Sequence, residues 1–246
     1  MPRPYDLAGT VGAGDNLYER QKRYYDLRAP EYDRGAWEPA TAQQADELAR
    51  IAGVIMALPP ARTLDVACGT GLLTQHLRGE VTMLDASTAM LRRAGTRVPH
   101  ARQVHTEALP LPFAESSFDR VFSSHFFDHL EPLERQRFLL ETRRVAAELV
   151  LVQQAGAPTH REGREVRVLE DGSTHEIYKV YFTPETLRAE VGGGEFLHSG
   201  SVFMVLRRSW GDSEEDRAAT SGSDPKSTAD EAGLRPAGSR YGKGTT

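Results

Sequence analysis

The sequence predicts an α/β fold: a doubly wound, mostly parallel sheet with an N-terminal helical cap and a β-hairpin insertion. Three observations predict it. Arg62-Thr-Leu-Asp-Val-Ala-Cys-Gly-Thr-Gly-Leu-Leu-Thr74 reads as a buried strand entering a glycine turn. Strand-like and helix-like segments then alternate as far as residue 152, as crossovers between parallel strands require. Beyond that the alternation breaks at Glu170-Asp-Gly172, an Asp-Gly step between two strand-like runs and so a hairpin signal.

Composition narrows the class. The chain has 246 residues, 39% of them hydrophobic and 26% charged, with a formal net charge of −5. That length admits one large domain or two small ones. The acidic balance disfavours a polyanion such as nucleic acid as the main partner. No apolar run approaches the ~20 residues of a membrane helix. The start, Met1-Pro-Arg-Pro-Tyr-Asp6, lacks the apolar core of a secretory signal, so a cytoplasmic location is expected. Cys68 is the single cysteine, which rules out an intrachain disulfide.

The elements follow in order. Residues 1–16 hold Gly9, Gly12 and Gly14 without an apolar period and are expected to form a flexible arm. A helical cap is expected over 17–60. Its first helix covers about 17–27 and is stopped by Pro30. Tyr18, Tyr24, Tyr25 and Tyr32 of this region can pack as half-buried rings or form a lid over a ligand. Ala42 to Leu58 is amphipathic, with Leu48, Ile51, Ala52 and Ile55 on one face, and Pro59-Pro60 ends it.

The main domain spans 61–210. Thr63 to Val66 form its first strand. Gly69 and Gly71 permit a tight turn and a close ligand approach, after which Leu72, Leu73 and Leu77 take up helical spacing. Glu80 to Leu84 is a short strand ending at Asp85, and Ser87 caps a helix to about Gly95. Ala101 to His105 is a third strand, Leu109-Pro-Leu-Pro-Phe113 a rigid connection, and Phe118 to Ser124 a fourth strand. Leu130 to Val145 is helical, with Glu131 and Glu134 where the dipole favours them. Glu148 to Val152 is a fifth strand. The hairpin insertion covers about 160–182, across Glu165 to Leu169 and Ser173 to Tyr181, and is expected over one edge of the sheet. Thr183 and Pro184 open a helix that Gly192-Gly-Gly194 ends. Phe196 to His198 and Ser201 to Leu206 are the last strands. Over 211–246 the apolar residues give way to Ser, Gly, Asp, Lys and Thr, the composition of a disordered tail.

A glycine turn after a strand is a weak sign of a nucleotide site. Asp85 sharpens it, because a carboxylate closing the second strand can accept ribose hydroxyls. Glu107, after the third strand, can accept from the exocyclic amine of an adenine. A nicotinamide dinucleotide would also use Asp85, but Thr74 follows Gly69 and Gly71 in place of a third glycine, which disfavours a pyrophosphate.

Asp65-Val-Ala-Cys-Gly-Thr-Gly71 resembles the first motif of class I S-adenosylmethionine-dependent methyltransferases, in their bacterial small-molecule form. Leu84-Asp-Ala-Ser87 resembles the second. Thr106-Glu-Ala108, Leu111-Pro-Phe113 and Ser117-Phe-Asp119 resemble the segment that follows, and the likeness covers about 62–152 in order. There are departures. Ala67 and Thr106 stand where the family often has glycine, and Val145-Ala-Ala-Glu148 replaces a Pro-Gly-Gly turn, which bears on how helix and strand join. The resemblance implies a seven-stranded, Rossmann-like methyltransferase sheet and S-adenosyl-L-methionine as cofactor. Its holders would be Asp65, Ala67, Gly69, Gly71, Asp85, Ala86, Met90, Glu107, Ala108 and Ser124, with Tyr24, Tyr25 or Tyr32 covering it. The cofactor's carboxylate would lie near the start of a helix at Gly71, where free amides favour an anion.

An acceptor would sit over the carboxyl end of the fourth strand, Ser123-Ser-His-Phe-Phe-Asp-His129. His125 and His129 are candidate general bases there, with Asp128 as an orienter. The same residues can instead shape the turn, His129 by packing and Asp128 by capping. The His-x-x-Asp-His spacing suits a metal pair, but no third ligand is evident and no metal is expected. His160 and His175 of the hairpin can reach an acceptor or face solvent. Cys68 lies in the cofactor turn, so cysteine-assisted carbon methylation of pyrimidines lacks its nucleophile. No Asn/Asp-Pro-Pro-Tyr segment follows the fourth strand. The expected function is methyl transfer to an oxygen, nitrogen or carbon nucleophile of a small molecule, a metabolite or natural product. The rivals are a non-methylating protein on the same fold, such as a cyclase or an interaction partner, and a nicotinamide-dependent oxidoreductase. Expected partners are the small-molecule acceptor and a second copy in a homodimer, without nucleic acid or membrane.

Overall fold

A computed structural model of the chain describes residues 17–155 and 159–211. The expected arm over 1–16, and the expected tail apart from Gly211, lie outside the described residues. Helices α1 (Leu17–Arg28), α2 (Tyr32–Ala36) and α3 (Ala42–Ala57) precede strand β1 (Ala61–Val66). Then come β2 (Gly79–Asp85), α4 (Thr88–Arg97), β3 (Arg102–His105), β4 (Phe118–Ser124), α5 (Pro132–Val145) and β5 (Ala146–Gln154). A hairpin of β6 (Arg161–Val168) and β7 (Thr174–Tyr181) follows. The last elements are α6 (Pro184–Val191), β8 (Glu195–Ser199) and β9 (Phe203–Ser209).

Seven strands make one sheet in the order β3-β2-β1-β4-β5-β9-β8. The first five are parallel, while β9 runs antiparallel to β5 and β8 antiparallel to β9. Both faces are buried, which is why the central strands read as continuous apolar runs. Leu149 and Leu151 of β5 pack with Phe138 and Val145 of α5 on one face. Val150 and Val152 pack with Ile51 and Ile55 of α3 on the other. Chain order reverses between β1 and β4, and a crevice opens beyond their carboxyl ends, where ligands bind in such sheets.

Local signals account for most boundaries. Thr41 caps α3, its hydroxyl accepting the amide of Gln44 at 3.2 Å. Ser87 caps α4 through the amide of Met90 at 3.1 Å. Thr183 caps α6, and Gly192, with a φ of 76°, ends it. At the Val145-Ala-Ala-Glu148 departure α5 ends on Val145 and β5 begins on Ala146, with no turn between them.

Two expectations are corrected. The helix read from Leu72, Leu73 and Leu77 does not form. A single 3-10 turn, Thr74–His76, stands in its place. Only residues 67–78 join β1 to β2, and the glycine turn takes the first of them, too few to repay helix nucleation. Leu73 and Leu77 are nonetheless buried. The hairpin does not lie over a sheet edge. It packs on α1 above the carboxyl ends of the strands, because Leu169 and Ile177 of its apolar face meet Tyr24 and Tyr25 there. Gln21 of α1 fixes the contact: its Oε1 accepts the Tyr178 amide at 2.6 Å and its Nε2 donates to the His129 carbonyl at 3.2 Å.

None of the described helices is long and apolar enough to cross a membrane. The α3 face carries one buried charge among its apolar residues, Glu47. Its carboxylate accepts the Ser201 amide (3.0 Å) and hydroxyl (2.5 Å) and the amides of Val202 (2.9 Å) and Phe203 (3.1 Å). It thereby holds the β8–β9 turn onto α3. Burial alone would raise its pKa, but these donors outweigh burial and hold it at about 2, below the ordinary 4.5. A carboxylate depressed in this way stabilises the fold above its ordinary pKa and loses that contribution as pH falls toward 2. Glu47→Gln should destabilise the protein by about 1.5–3 kcal/mol at neutral pH. Urea unfolding checks this: the gap between the two proteins should shrink as pH drops below 4.5, and equal midpoints at pH 7 would count against it.

Candidate functional site

Two clefts lie side by side over the carboxyl ends of β1, β2 and β4. The first measures about 740 Å³ with its mouth included. Of the residues expected at a cofactor, Ala67, Gly69, Asp85, Ala86, Met90, Ala108, Ser124 and Tyr32 line it, as do Tyr25, His125 and His129. Asp85 is its organising group. One carboxylate oxygen accepts the Gly69 amide and the other the Ser87 amide, each at 2.8 Å, so the turns after β1 and β2 are tied together. Burial raises its pKa to about 6 against the opposing pull of those amides. Ala67 adopts a φ of 56°, the left-handed region, at a position where glycine would be unstrained.

Four expected residues do not line this cleft. Asp65 lies beneath it, fully buried, with Oδ2 accepting the Thr74 hydroxyl at 2.5 Å and its pKa pushed up to about 8 by burial. Its Oδ1 is buried without a hydrogen-bond partner. Gly71 serves packing: a Cβ there would stand 3.2 Å from Ala94 of α4. With no helix beginning at Gly71, the amide-dipole site expected there is absent as well. Glu107 is engaged by Lys22 of α1, Nζ to Oε1 at 2.7 Å, and it is Lys22 that faces the cleft. Tyr24 is buried against the hairpin and faces the second cleft.

The cap is pinned over the first cleft by polar contacts at separate loops. Ser87 donates to Asp26 of α1 at 2.6 Å. Asp33 of α2 accepts Thr70 of the glycine turn at 2.5 Å and Arg97 of α4 at 2.8 Å. The desolvation of Asp33 is outweighed by these donors, and its pKa is lowered.

The second cleft, about 1190 Å³ with its mouth, lies between the cap, the hairpin and β9. Arg28, Trp37, Gln154, Arg167, Lys179 and Phe203 are on its wall, and none was expected at a site. Lys179 carried the one visible signal, a lysine inside the apolar run Ile177-Tyr-Lys-Val180. The clefts share four residues: Tyr25, Tyr32, His125 and His129.

The two histidines differ. His129 Nδ1 is 2.7 Å from the Tyr178 carbonyl, and its Nε2 is 2.8 Å from the Tyr25 hydroxyl. A carbonyl only accepts, so Nδ1 carries the hydrogen and Nε2 accepts from Tyr25. Burial, with Lys179 nearby, lowers the His129 pKa to about 3, so the ring is neutral. His125 stands at a φ of 52°, edge-on to Trp37 at 4.7 Å between ring centres, and its Nε2 is buried without a partner. Burial lowers its pKa to about 4. Asp128 does not cap α5. It forms a buried ion pair with Lys179, and the Glu131 amide at the start of α5 is taken by the Glu134 side chain at 3.1 Å. His160 and His175 line neither cleft. Among the described residues no three His, Cys, Asp or Glu side chains gather as a metal site.

Comparison with known proteins fits this geometry. Residues 64–148 match the family model described as a methyltransferase domain. The demethylmenaquinone methyltransferase of Thermotoga maritima is 34% identical over 101 residues, 39% of this chain and 43% of that protein. The malonyl-[acyl-carrier protein] O-methyltransferase of Halorhodospira halophila is 33% identical over 136 residues, 51% of this chain and 44% of that protein. The matches thus span less than half the length of these curated relatives. Among solved structures, the DhpI-SAM-HEP complex superposes with a TM-score of 0.65 at 24% identity, covering 80% of this chain and 100% of the other. The DhpI-SAH complex gives a TM-score of 0.62 at 25% identity, over 80% and 98%. The seven-stranded sheet, glycine turn and Asp85 agree with the family match, which assigns residues 64–148 to a methyltransferase domain of the class I S-adenosylmethionine-dependent type.

Proposed function

We propose that the chain is an enzyme that binds S-adenosyl-L-methionine in the first cleft and transfers its methyl group to a small molecule in the second. The observation that carries this reading is the shared wall: two clefts meet at Tyr25, Tyr32, His125 and His129. A nicotinamide enzyme would need a third glycine for its pyrophosphate, where Thr74 stands. A cytoplasmic location belongs to the same reading.

The residues present fit the cofactor. Asp85 keeps lone pairs for ribose hydroxyls beyond the two amides it accepts. Ala86, Met90 and Ala108 offer an apolar slot for a flat ring. The unpartnered Oδ1 of Asp65, beneath the cleft floor, suits an ammonium reached through water. Glu107 would serve an adenine amine only once Lys22 moves aside. Bound, the cofactor supplies an electrophilic methyl carbon on a sulfonium.

Most of the catalytic work left to the protein is alignment and exclusion of water. Tyr25 and Tyr32 close the cap side of the seam, and the His125 and His129 rings close the sheet side. Where the acceptor's nucleophile must lose a proton, the Tyr25 hydroxyl is placed to take it while passing its own to Nε2 of His129. The Tyr178 carbonyl keeps that nitrogen in its accepting tautomer. His129 then acts through Tyr25, and His125 Nε2 is the one base at the seam with no protein partner.

Asp85→Ala should weaken S-adenosylhomocysteine binding by about 1–3 kcal/mol in calorimetry, and an unchanged dissociation constant would remove Asp85 from the site. The affinity should also depend on pH with a defined sign. Protonation removes acceptor capacity from Asp85, so binding weakens as pH falls through about 6, and Asp85→Asn should flatten that slope. Tyr25→Phe and His129→Ala should each lower labelled-methyl transfer into a metabolite extract by roughly 10²-fold, with a much smaller change in S-adenosylhomocysteine affinity. Full transfer by both variants would refute the Tyr25–His129 route.

A further inference from the structure

The second cleft is unusual in which charges face it. Arg28 of α1, Arg167 of β6 and Lys179 of β7 all line it. The partners of two of these cations do not. Glu165 accepts Arg167 at 2.7 Å, Asp128 pairs with Lys179, and neither carboxylate is on the cleft wall. Arg28 has no carboxylate within ion-pair distance among the described residues. Its guanidinium lies over the Tyr32 ring at 4.9 Å and the Tyr24 ring at 5.6 Å. Ring stacking of this kind positions a planar guanidinium without neutralising it. The one acidic side chain on the wall, Glu38, is exposed, where water screens its charge. The rest of the lining includes a broad apolar surface from Trp37, Leu48, Ile177, Val202 and Phe203.

A partly buried guanidinium without a counter-charge is costly to desolvate, and a ligand anion offsets that cost. We infer that the acceptor carries an oxyanion, of carboxylate or phosphate type, that docks on Arg28 with Arg167 and Lys179 around it, while its apolar body rests on the Trp37–Phe203 side. This rests on the second cleft being the acceptor site. The anion is a docking handle, distinct from the atom that receives the methyl group at the Tyr25 seam. Arg28 and Arg167 come from the cap and the hairpin, so the handle joins the two parts that roof the site.

Three probes with one ring and different heads test this on the full chain saturated with S-adenosylhomocysteine: benzoate, phenylphosphonate and benzamide. In calorimetric titrations at least one of the two anions should bind about 10-fold or more tightly than benzamide, as a charge-assisted hydrogen bond gives. Which anion binds better distinguishes a carboxylate handle from a phosphate-type one. Arg28→Gln should bring the anion down to the benzamide level, Arg28→Lys should recover part of the difference, and Arg167→Gln should give a smaller loss. Equal binding of the anions and benzamide, no binding of any probe, or full anion affinity in Arg28→Gln would each overturn the proposal. Failure of the unaltered chain to bind S-adenosylhomocysteine would instead overturn the methyltransferase reading. The preference for anions is then read on the protein without it.

Discussion

His129 is held from three directions, and both clefts depend on it. Its carbonyl accepts from Gln21 of α1, its Nδ1–H donates to the Tyr178 carbonyl of β7, and its Nε2 accepts the Tyr25 hydroxyl of α1. Two elements far apart in sequence, α1 and β7, meet at this one residue. Without its ring the cap would lose the Tyr25 anchor on the β4 end, where the hairpin would keep the Lys179–Asp128 pair, and the seam between the clefts would be open. Every polar atom of the residue is satisfied, which makes burial of an imidazole affordable. The price of that satisfaction is chemical: a neutral, hydrogen-bonded ring with a low pKa is a poor base by itself. A relay through Tyr25 ends on the same ring, so it serves a nucleophile whose proton becomes strongly acidic as the methyl group is transferred.

The charges around the clefts are arranged by depth. Asp65 lies deepest, and burial raises its pKa to about 8, while Asp85, at the cleft wall, is raised to about 6. Neither has a cationic partner among its hydrogen bonds, only hydroxyl and amide donors. Buried carboxylates left this way favour a ligand that brings a positive centre and several hydroxyls. On the second cleft the pattern inverts, with cations on the wall and their carboxylates behind it. Two clefts of opposite charge demand thus meet at a seam of four aromatic rings.

Much of this was legible in the sequence because it is local. The strands at 118–124 and 79–85 follow from apolar patterning, the caps at Ser87 and Thr183 from single side chains, and the hairpin turn from Glu170-Asp-Gly172. Asp85 could be placed because it closes a strand beside a glycine turn. What could not be read depends on distance between loops rather than on pattern. Leu72, Leu73 and Leu77 have helical spacing, yet the short connection forbids the helix. Glu107 sits where an adenine acceptor should be, yet Lys22, 85 positions earlier in the chain, reaches it first. Arg28 and Arg167 carry no signal at all until the hairpin folds back onto α1.

That folding back is of two energetic kinds. Toward the hairpin, α1 presents Tyr24 and Tyr25 to Leu169 and Ile177, an apolar contact reinforced by the buried Gln21 bridge. Toward the cofactor loops it presents Lys22 to Glu107 and Asp26 to Ser87, polar pairs in part-exposed settings. Part-exposed ion pairs contribute about 0–1 kcal/mol each. Burying two aromatic rings and their aliphatic partners contributes several times that. The first cap helix is therefore bound more firmly to the hairpin than to the sheet loops. If the roof of the clefts yields to admit a ligand, the weak seam is at Lys22 and Asp26, while Gln21 and Tyr25 keep α1 on the hairpin and on His129.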